Sequence, residues 1–583
     1  MVWAPRHERL SVKLTSQRDR IFDLAAAGFG YFLGDVADVV PGDRYLLQFA
    51  DGSARPDPAS HFQPDGVHQP SAVVDHAAFE WSDEDWDGMP LGDMIQYELH
   101  VGTFTPRGTF DAAIDKLAYL KDLGVNAIEL LPVAQFPGNR NWGYDGAYPY
   151  AVQNSYGGPD GLKRLVNACH AEKLAVVLDV VYNHLGPEGN YLGEFAPYFT
   201  ERYSTPWGPA VNFDGSFSYG VRHYFLQNAL HWFDNYHIDA LRLDAIHGVF
   251  DFGAKHILQE LVEKTGEFSK AHHRRHTLIA ESDLNDTRVI KPWESGGYGI
   301  DGQWSDDFHH AVHAMLTGER KGYYADFGRR DQVKKAVDEG FVYDWEYSFH
   351  RKRYHGSSSA DIPTDRFVIF TQNHDQVGNR MHGDRLVNVT SVDAARLAAG
   401  LMMLSPNVPM LFMGEEYAER NPFLYFVSHG DPVLVEAVRR GRRREFKTFG
   451  WVQDPPDPQS ERTFESSKLN WHLLKDERHA AMHGFYRELI KLRRTTPALS
   501  RLSRSATSVT LVDDDRVLVV AICIFNLTNE TLEVDAEYAD GGRLMLSSQA
   551  GRWGGSGSPV PEHLSAGTRL PLDAYAFVVY LRA

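Results

Sequence analysis

Short apolar runs of strand length recur through the middle of the chain. Between them lie stretches whose apolar positions fall three or four apart. The first run is Ile95-Gln-Tyr-Glu-Leu-His-Val-Gly102, followed by Phe110, Ile114, Leu117, Leu120 and Leu123 at helical spacing. Ala127-Ile-Glu-Leu-Leu-Pro-Val133 leads into a predicted helix over 161–173, and Leu174-Ala-Val-Val-Leu-Asp-Val-Val-Tyr182 is the third strand. A long excursion rich in Gly, Pro and aromatic residues, about 185–220, precedes an amphipathic helix over Tyr224 to Tyr236. Strands four, five, seven and eight are Ala240-Leu-Arg-Leu-Asp-Ala-Ile-His247, Thr277-Leu-Ile-Ala-Glu281, Phe367-Val-Ile-Phe-Thr-Gln-Asn-His-Asp375 and Pro409-Met-Leu-Phe-Met-Gly414. Strand six is the faintest, and Gly302-Gln-Trp-Ser305 is its candidate. Continuous apolar runs of this length read as parallel strands buried on both faces. Strand–helix units repeated in this way predict a (β/α)8 barrel over 86–499.

The two flanks lack the helical spacing. Over 1–85, Ser11-Val-Lys-Leu14, Tyr31-Phe-Leu33 and Tyr45-Leu-Leu-Gln-Phe49 are broken by turns at Pro41-Gly42-Asp43 and Asp51-Gly52, which predicts a small β-sandwich. A Pro-rich connector runs from Asp57 to Pro70. The acidic run Trp81-Ser-Asp-Glu-Asp-Trp-Asp87 reads as a solvated linker. Over 500–583, Ser508-Val-Thr-Leu-Val512, Val517-Leu-Val-Val-Ala-Ile-Cys-Ile-Phe525 and Ala576-Phe-Val-Val-Tyr-Leu581 predict a second β-sandwich, with a flexible loop at Gly551 to Gly557.

Composition narrows the function. The 583 residues are 43% hydrophobic and 23% charged, and 59 basic against 78 acidic side chains give a net charge of −19. That balance argues against nucleic acid or an anionic membrane as partner and is compatible with a neutral substrate. It also aids solubility. The two cysteines, Cys169 and Cys523, are too few for a disulfide framework or a zinc cluster. Met1-Val-Trp-Ala-Pro5 has no basic and apolar leader, and no apolar run is long enough to span a bilayer, so a cytoplasmic protein is expected.

Chemistry concentrates at strand ends. Asp244, Glu281 and Asp375 each stand at or just past the end of a predicted strand. Strand-end acids on a parallel barrel face one catalytic rim. Taken singly, each would read as a helix cap or the partner of an arginine. Taken together, with Arg242 two residues before Asp244 and so on the same side of its strand, they read as a site.

In this order, Asp179-Val-Val-Tyr-Asn-His184, Leu241-Arg-Leu-Asp244, Ile279-Ala-Glu281 and Asn373-His-Asp375 resemble the signature regions of the α-amylase superfamily of retaining glycoside hydrolases. Within it, the resemblance is to the maltooligosyltrehalose trehalohydrolase family. It is carried by Tyr97-Glu-Leu-His-Val-Gly-Thr-Phe-Thr105, Phe136-Pro-Gly-Asn-Arg-Asn-Trp-Gly-Tyr-Asp-Gly146, Ala280-Glu-Ser-Asp-Leu-Asn-Asp286, Gln303-Trp-Ser-Asp-Asp-Phe-His-His310, Gln372-Asn-His-Asp-Gln-Val-Gly-Asn379 and Phe412-Met-Gly-Glu-Glu-Tyr417. One departure is visible. The family pattern begins with a strand ahead of the Trp3-Ala4-Pro5 turn, so the N-terminal sandwich is expected to lack its edge strand, or else the natural start lies upstream of Met1.

The resemblance implies roles. Asp244 is the nucleophile, with Arg242 lowering its pKa. Glu281 is the general acid and then the base, and Asp375 holds ring hydroxyls. His184 and His374 donate to hydroxyls of the same ring, and Tyr144 stacks on it. Trp207 is a candidate stacking surface for a distal glucose. Asp306, Asp307, Phe308, His309, His310, His247, Gln376 and Asn379 are candidates for recognising what lies past the scissile bond. Asp306 and its neighbours read equally as an N-cap and first helical turn. Asn183 matches a calcium-ligand position of many α-amylases, but one oxygen is too few for a site that takes about six to eight, so no metal or cofactor is expected. The implied activity is release of trehalose from maltooligosyltrehalose, with related α-1,4-glucans as partners. Two alternatives stay open: a 1,4-α-glucan branching enzyme, and a glucan-binding scaffold with an inactive barrel.

Overall fold

A computed structural model describes residues 1–16, 19–448, 454–500, 503–504, 507–535, 541–565 and 567–582. Eight parallel strands close into a barrel in chain order: β1 Gln96–Leu99, β2 Ala127–Leu130, β3 Ala175–Val180, β4 Ala240–Leu243, β5 Thr277–Ala280, β6 Gly302–Trp304, β7 Phe367–Ile369 and β8 Val408–Phe412, which pairs back to β1. The faint sixth strand is where the sequence placed it. It is short and carries Gly302 because a Cβ there would stand 2.4 Å from Leu91 Cδ2. The registers place Glu98 beside Glu129 and Asp179 beside Arg242. The barrel interior thus holds a charged layer. Below it lies an apolar one of Ala127, Val177, Ile279, Val368 and Met410.

Several predicted elements shift. The helix expected over 110–123 is two pieces, Phe110–Ile114 and Leu117–Leu123, where Lys116 N–H reaches back only to Ala113 O. The excursion holds an antiparallel hairpin, Phe199–Thr205 with Gly208–Val211. A second hairpin, Asp344–Ser348 with Arg353–Gly356, and a helix over Pro432–Thr448 were not anticipated.

The flanks are sheets. At the N-terminal end a three-stranded sheet faces a five-stranded one. The edge strand expected to be missing is present in two residues, because Val2 and Trp3 pair with Phe32 and Tyr31. At the C-terminal end a five-stranded sheet and a two-stranded ribbon enclose Val517, Ile524, Leu532, Leu570 and Val578. Among the described residues no helix is long and apolar enough to cross a membrane.

The acidic run at 81–87 is not a solvated linker. Trp86 enters the bottom of the barrel, and its Nε1 donates to Asp239 Oδ1 at 2.6 Å. Asp83 is buried and accepts from His170 at 2.7 Å, His237 at 2.9 Å and Arg274 at 3.0 Å. Burial opposes its charge, but the hydrogen bonds from His170 and His237 hold its pKa far below the usual carboxylate range. Asp83 and Trp86 plug the barrel; the acids around them, Glu84, Asp85 and Asp87, stay exposed and supplied the solvated look.

Trp3 joins the N-terminal sheets to the barrel. Its ring packs edge-on against Tyr198 and Tyr219, and its Nε1 donates to Phe29 O. It covers Gly220 in the helix Ser218–Tyr236 so closely that a Cβ there would stand 2.1 Å from the indole. Gly220→Ala would normally stabilise a helix interior by about 1 kcal/mol. Here the clash is expected to reverse the sign and destabilise by about 1–3 kcal/mol. Thermal denaturation reads the difference, and a raised midpoint would mean Trp3 is not seated on this helix.

Candidate active site

The site is built around Arg242. It lies on β4, fully buried, where a guanidinium requires anions to offset lost hydration. Nη1 donates to both oxygens of Asp179, at 2.9 and 2.8 Å, and to Asp244 Oδ1 at 2.8 Å. Nη2 lies 3.7 Å from Glu281 Oε2. The cation also stands 4.1 Å from the centroid of Trp304 on β6. Acids from the ends of β3, β4 and β5 therefore share one charge.

Asp244 is fixed from its other side as well. Asn183 Nδ2 donates to Asp244 Oδ2 at 2.8 Å and to the Asp244 carbonyl at 2.8 Å. Ala245 then turns into the left-handed region with φ 38°, a conformation an alanine adopts only under constraint. The turn aims its N–H at Glu281 Oε2, 2.5 Å away. Burial raises the pKa of Glu281. Arg242 pulls it back, and the carboxylates of Asp244 and Asp375 push it up again.

Asp375 opens the short helix His374–Gly378, and its carboxylate is more accessible: 40% exposed, against 11% for Asp244 and 14% for Glu281. Asn379 donates to Asp375 Oδ1 at 3.2 Å, and His374 Nε2 lies 3.4 Å from Oδ2. His374 Nδ1 donates to Glu98 Oε1 at 2.6 Å, and its Nε2 donates to the Tyr144 hydroxyl at 2.7 Å. Tyr144 in turn donates to Asp179 Oδ2 at 2.5 Å. Burial opposes charge on His374, but Asp375 and Glu98 outweigh it and bring the pKa to about 9. The imidazolium thus completes a polar chain from Glu98 through Tyr144 and Asp179 to Arg242.

Other sequence candidates divide. His247 and Asn379 line the cleft with the three acids, Tyr144 and Trp207. Asp306 receives a hydrogen bond from Gln376 Nε2 at 3.2 Å, and burial together with Glu281, Asp283 and Asp375 drives its pKa well up. His184 forms part of the wall. Its ring nitrogens face Asn183 Oδ1 and the Tyr144 carbonyl, so the expected donation to a sugar hydroxyl is already spent on protein. Its face stacks on Trp207, 4.9 Å between centroids.

Asp306 stands near Glu281 and Asp375 without lining the cleft, and the rest of the Asp-Asp-Phe-His-His run is turned away from it. Asp307 Oδ2 accepts from the backbone N–H groups of Val342 and Tyr343 and from Asn285, and so ties down the loop after the helix Arg330–Glu339. Phe308 is fully buried, His309 is held between Thr371 O and Tyr324 OH, and His310 is buried against Tyr323. Helical spacing explains the split, because consecutive residues of Asp306–Thr317 point in different directions.

The cleft has a volume of about 660 Å³. It includes residues that the sequence reading missed: Asp145, Tyr425, Arg442 and Glu445. The last two lie on the Pro432–Thr448 helix with Val438 and Gly441, at the three-to-four spacing of one helical face. Glu98 and Glu129, adjacent acids inside the barrel, were also not singled out. Both Glu129 oxygens are buried without a hydrogen-bond partner, and burial, with Glu98 beside it, raises its pKa.

Asn183 donates from Nδ2 to Asp244 and Ala245, and its Oδ1 faces His184 Nδ1. Among the described residues, the histidines and acids whose ligand atoms converge are His61, His76 and His231, all within 4.8 Å of one another. They lie where the N-terminal connector meets the Ser218–Tyr236 helix, outside the cleft, beside the buried Lys163.

The alpha amylase catalytic domain family matches residues 60–205. A malto-oligosyltrehalose trehalohydrolase of Saccharolobus solfataricus is 48% identical over 493 residues, covering 85% of this chain and 84% of that protein. A 1,4-alpha-glucan branching enzyme of Pseudoalteromonas atlantica is 25% identical over 84% of this chain and 64% of its own length. A solved Salmonella typhimurium protein, provisionally called an alpha amylase, superposes with a TM-score of 0.89 at 36% identity over 100% of this chain and 97% of that one. With barrel, acids and relatives in agreement, the chain belongs to the malto-oligosyltrehalose trehalohydrolase family of α-amylase-fold glycoside hydrolases.

Proposed function

We propose that this protein hydrolyses the α-1,4-glucosidic bond next to the terminal trehalose of maltooligosyltrehalose, releasing trehalose and a maltooligosaccharide with retention at the cleaved carbon. The observation that carries the mechanism is one buried guanidinium in reach of two carboxylates of opposite duty. Asp244, hydrogen-bonded by Arg242 and Asn183, attacks the anomeric carbon. Glu281, with its raised pKa, gives its proton to the departing glycosidic oxygen. A water then loses its proton to Glu281 and releases the sugar from Asp244. Asp375, the most accessible of the three, is placed to hold hydroxyls of the distorted ring.

Substrate choice rests on the relatives' activity and on the rim. Trehalose is non-reducing and bends differently from maltose, so a site for it needs shape and fixed polar groups. His247, Asn379, Asp306 and Gln376 supply such groups beside the acids. The branching-enzyme reading has the weaker support, 25% identity against 48%.

Chromatography of products from maltotriosyltrehalose is expected to give trehalose and maltotriose. If the capped oligomer stays intact while amylose gains α-1,6 branches, the hydrolase reading is wrong.

Asp244→Asn is expected to lower kcat/KM by about ten-thousand-fold or more, the scale of losing a nucleophile, with the fold intact by circular dichroism. Unchanged activity would favour a scaffold.

The pH profile has a definite sign. Glu281 must be protonated to act as acid, so activity persists above the ordinary carboxylate range and falls as pH rises through its raised pKa. With α-maltosyl fluoride, whose leaving group needs no proton, the burst of fluoride release should lose that alkaline limb. A limb at the same pH with both substrates would assign it to another group.

A further inference from the structure

Three histidines that the mechanism does not use meet on the flank of the barrel. His61 lies in the Pro-rich connector, His76 opens the single-turn helix His76–Ala78, and His231 sits in the helix Ser218–Tyr236. One nitrogen from each falls within 4.8 Å of the other two. The rings touch one another, with centroids 4.4 Å apart for His61 and His231, 5.0 Å for His61 and His76 and 5.5 Å for His76 and His231.

The rings are held in place by weak, neutral contacts. The Asp75 carboxylate accepts from the Ala77 N–H at 3.0 Å and caps the turn that carries His76. His61 Nδ1 and His76 Nε2 stand 2.9 Å apart, a gap that holds one proton between two nitrogens. His76 Nδ1 is buried without a hydrogen-bond partner. His231 spends its nitrogens on two neutral hydrogen bonds, to the Tyr150 carbonyl at 3.0 Å and from the Asn235 amide at 3.1 Å, and would give up one of them to a metal. Burial lowers His61 to about 4 and His76 to about 3 and drives His231 well below the ordinary histidine range. All three are therefore neutral imidazoles near pH 7, the form that ligates.

We infer that His61, His76 and His231 form a structural site for a borderline divalent transition metal such as zinc or cobalt, which ties the N-terminal connector to the barrel. Neutral imidazoles are ligands for ions of that class, whereas calcium and magnesium take oxygen. With zinc–nitrogen bonds of about 2.0–2.1 Å, two tetrahedral ligand nitrogens stand about 3.4 Å apart, so the trio closes by little more than ~1 Å while the His61–His76 contact opens. Water takes the fourth position. Lys163 opposes the ion: its ammonium donates to the His76 carbonyl at 3.1 Å, and its charge is felt by all three rings. That repulsion makes the site one of moderate affinity. The site lies outside the cleft and does not depend on the substrate proposed above.

The test titrates untagged, EDTA-treated full-length protein with Co2+, whose visible absorption reports imidazole coordination, and then displaces it with Zn2+. One Co2+ per chain is expected to bind and to shift the thermal midpoint upward. His76→Ala, partly exposed and remote from the cleft, is expected to weaken binding by more than about tenfold, the least that losing even a supporting residue costs a metal site. His61→Gln serves as the second variant, and circular dichroism checks that both are folded. No cobalt uptake by the natural protein would overturn the site. So would uptake, or a metal-induced rise in midpoint, that both variants leave unchanged, because the ion would then be bound elsewhere.

Discussion

A guanidinium sealed from water must be neutralised by what surrounds it, and everything at the top of this barrel answers to Arg242. It is reached from β3 by Asp179, from β4 by Asp244, from β5 by Glu281 and from β6 by the Trp304 ring. One cation cannot hold several adjacent acids ionised. Burial raises Asp179 to about 7, with Arg242 opposing the shift, and raises Glu281 as well. Asymmetry of charge among neighbouring carboxylates, which acid catalysis requires, thus comes from a shortage of positive charge. Removing one partner of such a buried group costs about 3–5 kcal/mol, so the same contacts tie stability to chemistry.

The second cation, His374, works on the opposite side. It draws Glu98 and Tyr144 into one chain and stands beside Asp375. Glu129, next to Glu98 in register, has no hydrogen-bond partner for either carboxylate oxygen, and burial raises its pKa. The apolar layer beneath separates the site from the Asp83 cluster at the other end.

Much of this was legible because periodicity maps onto geometry. Arg242 and Asp244, two apart on a strand, do share a side and a hydrogen bond. Acids at strand ends do meet at one rim. Strand six was faint because Gly302 and Trp304 are chosen by neighbours on other strands rather than by strand propensity. The Asp306–His310 run misled because proximity in sequence is not proximity on a helix. The Pro432–Thr448 face was missed because Arg442 and Glu445 look like any solvated helical pair until the cleft is drawn. Asp83 and Trp86 were missed because an acidic run shows its charge but not its burial.

The plug at the closed end bears on how the chain could be divided. A barrel cut free at residue 86 would keep His170, His237 and Arg274 but lose the carboxylate of Asp83 that joins them. The excised piece would leave His237 and Arg274 without the carboxylate they share, so the segment from Asp83 to Trp86 belongs with the barrel it closes rather than with the N-terminal sheets, whose last strand ends at Ala72.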